Sequence, residues 1–164
     1  MRHVISVLVD NEAGVLSRIA DLFSGRGYNI ESLSVAPTLD PTKSKMVIAT
    51  IGDDQVMEQI KKQLNKLINV IKVVDYTGKE SVEREMLLVK VKAEDKGRAE
   101  VLRMAEIFRA KVVDVSASSY TLELTGNKDK LQGFVDILSP IGIVDFIRTG
   151  AVVMDREMQK RRRL

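Results

Sequence analysis

Apolar residues recur along the chain with two periods that alternate, one of two residues and one of three to four. Residues 3–10 are β-branched and apolar and read as a buried strand. After the turn Asp10-Asn11-Glu12-Ala13-Gly14, Val15, Leu16, Ile19, Leu22 and Phe23 fall at helical spacing. Gly25-Arg26-Gly27 stops this helix, because glycine tolerates the left-handed backbone needed past a helix end. Residues 29–35 alternate polar and apolar as a half-buried strand, Pro37 and Pro41 bracket a loop, and residues 46–51 form a third strand. Gly52-Asp53-Asp54 opens a second helix carrying Val56, Ile60, Leu64, Leu67 and Ile68, and residues 70–74 form a fourth strand. The order βαββαβ predicts a ferredoxin-like unit, with a four-stranded antiparallel sheet and both helices on one face.

The same order then returns. Residues 79–84 are polar and read as a linker. Strands follow at 86–91, 111–115, 120–124 and 143–147, with helices at 97–108 and 128–138 between them. The repeat is visible in the residues themselves. Ile19-Ala20-Asp21-Leu22-Phe23 parallels Met104-Ala105-Glu106-Ile107-Phe108, and Asn29-Ile30 parallels Asp114-Val115 at the same offset of ten. Gly52-Asp53 parallels Gly126-Asn127, and Thr77-Gly78 parallels Thr149-Gly150. The fold class expected is α+β, two consecutive βαββαβ units over residues 1–78 and 79–164.

Composition narrows the chemistry. The 164 residues contain no cysteine, which excludes disulfides, thiolate catalysis and cysteine-based zinc sites. No signal-peptide pattern opens the chain and no 18-residue apolar stretch occurs, so the cytoplasm is the expected location. The net charge of +3 traces to the basic tail from Arg156 to Leu164. With no Trp and only 4% aromatic residues, platforms for stacking nucleic-acid bases are scarce.

Catalytic groupings are missing from the pattern. The single histidine, His3, stands near the start of a strand and reads as an edge or surface imidazole. Asp53 and Asp54 sit at a helix start, where carboxylates favour the positive end of the dipole, a better account than metal binding. Gly25-Arg26-Gly27 follows a helix rather than a strand, so it is a terminator and not a phosphate cradle. Binding is the better prospect. The turn at Asn11–Gly14 joins a buried strand to a helix N-terminus, whose free N–H groups and partial positive charge suit a carboxylate. Gly14 allows close approach, and Asn11 offers a donor and an acceptor. Asn29 can lie beside this turn or beside the same turn of a neighbouring chain. Val15, Leu16, Ile30 and Leu33 can line an apolar slot. A plainer account, with Asn11 as helix cap and Gly14 as an ordinary first-turn glycine, stays open at this level.

The stretch Asp10–Arg18 resembles the turn of an ACT domain, the amino-acid-sensing module of amino-acid metabolism. The longer run from Leu22 to Thr38 (with Gly25-Arg26-Gly27-Tyr28-Asn29-Ile30-Glu31-Ser32-Leu33 at its centre) is similar to the signature of acetolactate synthase small subunits. Residues 82–91, Glu106-Ile107-Phe108-Arg109 and Arg148-Thr149-Gly150 fit that family's second half. The resemblance spans about residues 1 to 155 and leaves the basic tail outside it. It implies a non-catalytic subunit that binds and activates the large catalytic subunit and confers feedback inhibition by valine or another branched-chain amino acid. It implies no cofactor on this chain, with thiamine diphosphate, magnesium and FAD on the partner. It also implies a homodimer through the ACT domain, with effector contacts at Asn11, Ala13, Gly14, Val15 and Leu16 and at Asn29 and Ile30 of the second copy. In the second repeat, Lys96-Gly97-Arg98-Ala99 stands in place of Asn11–Gly14, which puts a second effector site in doubt. The alternative is a stand-alone ACT protein regulating another enzyme or transcription; a DNA reader of that kind needs a docking module, and no helix-turn-helix pattern is present.

Overall fold

The computed structural model describes residues 1–156, so the basic tail beyond Arg156 lies outside the described residues. The chain divides into two compact units. Among the described residues, one comprises Met1–Val82 together with residues 150–156, and the other Glu83–Thr149.

The first unit contains β1 (Arg2–Asp10), α1 (Val15–Ser24), β2 (Ile30–Pro37), β3 (Lys43–Ile51), α2 (Asp54–Lys66) and β4 (Val70–Asp75). Its four strands are antiparallel in the order β2-β3-β1-β4. The apolar run of β1 serves both faces of the sheet, as a central strand must. Ile5, Val7 and Val9 meet Val15, Ile19 and Phe23 of α1 and Met57, Ile60 and Leu64 of α2 in one buried core. On the opposite face Val4 and Val47 pack with Tyr76 and with Ala151 and Val153 from the end of the chain. Gly150 explains how that returning segment lies so close. A Cβ there would stand 2.6 Å from the Leu33 carbonyl and 2.9 Å from the Ser34 nitrogen of β2.

The second unit is built on β5 (Ser81–Lys92), α3 (Lys96–Phe108), β6 (Lys111–Val115), β7 (Ser119–Gly126), α4 (Lys128–Leu138) and β8 (Ile143–Arg148). Its strand order is β6-β7-β5-β8. Leu87, Val89 and Val91 of β5 bury against Val101, Leu131, Phe134 and Leu138. Phe108 and Phe134 meet with ring centroids 5.0 Å apart. Two ferredoxin-like βαββαβ units are therefore present, as the order of periods predicts. The paired dipeptides cap alike: Asp53 Oδ1 accepts from the Val56 N–H at 2.8 Å and Asn127 Oδ1 from the Lys130 N–H at 2.9 Å.

Several local expectations are corrected. His3 is buried rather than at a surface, because β1 is central in the sheet. Its Nε2 donates to the Gly52 carbonyl at 3.1 Å, and its Nδ1 lies 3.1 Å from the Thr77 hydroxyl. Leu67 and Ile68 do not extend α2. Leu67 turns extended at the C-cap and Ile68 is almost fully exposed. The polar stretch 79–84 is not all linker, since β5 starts at Ser81 and polar residues are acceptable where a strand begins at a surface. The left-handed glycine after α1 is Gly27, at φ +72°, while Gly25 stays helical.

Candidate effector site

The turn after β1 is held from two sides. On one, the Asn11 N–H donates to the Thr42 carbonyl at 2.8 Å and the Asn11 amide donates to the Pro41 carbonyl at 3.0 Å, tying the turn to the β2–β3 loop. On the other, the Asp10 N–H donates to the Asn69 carbonyl at 2.9 Å. With one amide hydrogen engaged, Asn11 keeps its Oδ1 and its second N–H. Asn11 is therefore not the helix cap. The N-cap of α1 is Gly14, in the left-handed region at φ +86°, and no side chain caps this helix. The Val15 N–H turns back to the Glu12 carbonyl at 3.4 Å, and, unlike α2 and α4, each capped by its own Asp or Asn, α1 offers its Leu16 and Ser17 N–H groups no side-chain cap. A Cβ added at Gly14 would meet nothing within 4 Å, so the surface above the turn is clear.

Ala13, Gly14 and Leu16 are exposed, but Val15 turns inward and is buried in the core of its own unit. Ile30 and Leu33 pack against that same core. Of the four residues expected to line an apolar slot, Leu16 is the one left largely exposed, at 42%.

Asn29 and Ile30 stand apart from this turn within one chain. Ile30 pairs with Thr50, and Thr50 with His3, while Asp10 pairs with Lys43 at the other end of the same ladder. Asp10 is seven residue steps along β1 from His3, roughly 23 Å of strand. Asn29 is exposed, and its carbonyl accepts from the Thr50 hydroxyl at 2.7 Å. The other end of β2, Pro37, pairs with Ser44 and so lies at the Asn11 end of the sheet. As β2 is an edge strand, an antiparallel β2 of a second copy would carry its Asn29 end to this turn.

Sequence patterning did not single out Asn69 and Arg18. The Arg18 guanidinium donates to Asn69 Oδ1 at 2.6 Å, and the Asn69 amide donates to Glu12 Oε2 at 3.2 Å. A lone asparagine in a short loop carries no pattern that could reveal this contact. The equivalent turn of the second unit is tied by a side chain to the β6–β7 loop. Arg98 donates to the Ala93 carbonyl at 2.7 Å and to the Ala117 carbonyl, beside the N-terminus of α3. Among the described residues no group of three His, Cys, Asp or Glu side chains could hold a metal, and no helix is long and apolar enough to cross a membrane.

Residues 5–72 match the model of the AHAS small subunit-like ACT domain, and residues 84–157 match that of the small subunit of acetolactate synthase. The acetolactate synthase small subunit of Aquifex aeolicus is 52% identical over 158 residues, covering 96% of this chain and 82% of that protein. The acetolactate synthase isozyme 3 small subunit of Salmonella typhimurium is 51% identical over 157 residues, covering 95% and 96%. The crystal structure of the acetolactate synthase small subunit from Thermotoga maritima superposes with a TM-score of 0.87 at 40% identity, covering 95% of this chain and 98% of that one.

Proposed function

Since the chain belongs to the acetolactate synthase small-subunit family, we propose that it is the non-catalytic regulatory subunit that activates the large catalytic subunit and confers feedback inhibition by valine or a related branched-chain amino acid. The observation that carries this reading is the likeness of both halves of the chain, along almost their whole length, to small subunits of that synthase. Thiamine diphosphate, magnesium and FAD belong to the catalytic partner.

The effector binds at the N-terminus of α1. Its carboxylate meets the uncapped first-turn N–H groups, where the helix dipole favours negative charge. Its ammonium meets acceptors at the turn, the free Oδ1 of Asn11 among them. Leu16 supplies apolar contact, and Ala13, Gly14 and Val15 contribute backbone. Asn29 and Ile30 come from a second copy, which pairs its edge strand β2 with this one and covers a row of unpaired backbone groups. An effector at this seam binds two chains at once, so its occupancy is coupled to their arrangement. Feedback requires only that the two arrangements differ in affinity by about 1–3 kcal/mol. The first unit senses, and the second adds affinity for the large subunit or transmits inhibition.

The test is the activity of the cognate large subunit with and without this chain across a valine titration. Activation together with new valine sensitivity is the expected result. Activation without sensitivity to valine, leucine or isoleucine removes the effector. No activation and no complex removes the regulatory-subunit reading and favours a stand-alone ACT protein.

A further inference from the structure

Asn69 is buried in the loop between α2 and β4, yet three of its polar groups are engaged with the β1–α1 connection. Its carbonyl accepts from the Asp10 N–H at 2.9 Å. Its Nδ2 donates to Glu12 Oε2 at 3.2 Å and to Asp10 Oδ2 at 3.5 Å. Its Oδ1 accepts from Arg18 Nη1 at 2.6 Å. Arg18 lies one helical turn past Gly14, and its N–H donates to the Gly14 carbonyl at 3.0 Å. One amide thus grips the chain on both sides of Gly14, the position where backbone freedom is greatest.

We infer that Asn69 is the positioning residue of the effector turn: it bridges Asp10 and Glu12 before Gly14 to Arg18 after it, and so holds the first-turn N–H groups of α1 in the geometry that receives an amino-acid carboxylate. The inference rests on the effector reading given above. An amide is suited to the task because it combines donor and acceptor in one short side chain. It stands between two carboxylates, which need a donor, and a guanidinium, which needs an acceptor. Aspartate has the same size but would face Asp10 and Glu12 with a third negative charge. Alanine would leave Arg18 and the two carboxylates without their common partner. In either case the turn samples more conformations before binding, and the effector has to order it, which weakens affinity without removing any contact to the effector.

The experiment is calorimetric titration of the full-length chain with valine, and with isoleucine and leucine in parallel. Wild type is compared with Asn69→Ala, Asn69→Asp and the double variant Asn69→Asp/Glu12→Gln, with the thermal midpoint of each recorded. Asn69→Ala is expected to weaken valine binding by about tenfold, the loss of one to two net hydrogen bonds. Asn69→Asp is expected to be weaker still. Adding Glu12→Gln restores much of the affinity, because the new amide at position 12 donates to the new carboxylate at position 69. A residue that merely fills space predicts the reverse order, alanine worse than aspartate, with no rescue from position 12. That order, or single variants within twofold of wild type at an unchanged midpoint, overturns the inference and leaves the effector site standing. If wild type binds none of the three amino acids, both fall together. If Asn69→Asp fails to fold, the alanine and double variants still decide the matter.

Discussion

Gly14 acts through its backbone. At φ +86° it lies where L side chains are strained, and it opens onto free space. Gly14→Asp therefore costs about 1–2 kcal/mol of local strain and also puts a carboxylate where the proposed site takes the effector's carboxylate. The expected outcome is loss of valine inhibition in the synthase assay while the chain still binds the large subunit; unchanged inhibition would remove the site from this turn. Asn29→Ala, at the far end of β2, is expected to weaken effector binding by roughly 1–2 kcal/mol, read as a higher half-saturating valine concentration. Gly150 is needed for a different reason, since an added Cβ would stand within 3 Å of the backbone of Leu33 and Ser34. Gly150→Ala should cost about 1–3 kcal/mol as backbone is pushed aside, read as a lower urea midpoint. Gly97→Ala in α3, where an added Cβ meets nothing within 4 Å, is the control expected to be neutral or mildly stabilising. These three glycines look alike in the sequence. What separates them is which backbone lies opposite and which φ the turn imposes.

The starts of α2 and α4 were legible from neighbouring residues alone. Gly52-Asp53 and Gly126-Asn127 each place a capping side chain one residue before a helix, and each makes the expected bond. Such signals are local, so neighbouring residues suffice to write them. The end of β4 is held by contacts that are partly non-local. Burial pushes the Asp75 carboxyl up, but the hydroxyl and N–H of Thr77 and the ammonium of Lys61 together bring it below the usual range. Lys61 reaches Asp75 at 3.4 Å from α2, so the pair fastens that helix to the strand. A lowered folded-state pKa means stability that is present above the ordinary carboxylate pKa, about 3.9, and is lost as pH falls through the folded value. Asp75→Asn is therefore expected to lower the urea midpoint at pH 7, with the gap to wild type closing as the pH is taken below the ordinary carboxylate range. A gap that is constant with pH would show that the carboxylate's charge is not what matters.

At the scale of the whole chain, sheet edges are the open question that association answers. β2 leaves one edge of the first sheet unpaired, with Val35 exposed on it. If two chains join along β2 and the effector sits across the seam, binding and association are linked by mass action. Valine should then shift dimer dissociation to lower protein concentration, measured by sedimentation equilibrium over a dilution series. A dissociation constant that valine leaves unchanged would place the effector within one chain. The ladder argues for the seam, since it holds Asn11 and Asn29 of a single chain at opposite ends of one sheet.

Element order, the apolar faces and the capped helix starts were determined by the sequence itself. Each depends on residues within a few positions of one another, and the strand and helix periods turn spacing directly into faces. The turn at Asn11–Gly14 was legible for the same reason, as a glycine placed between a strand and an amphipathic helix. Tertiary structure decided the rest. It buried His3 by making β1 central, returned Ala151 and Val153 to the first sheet, turned Val15 into the core and set Asn69 against Glu12 and Arg18. These outcomes hang on strand register and on which loops meet, and both are set by pairings between residues tens of positions apart, which no local period encodes.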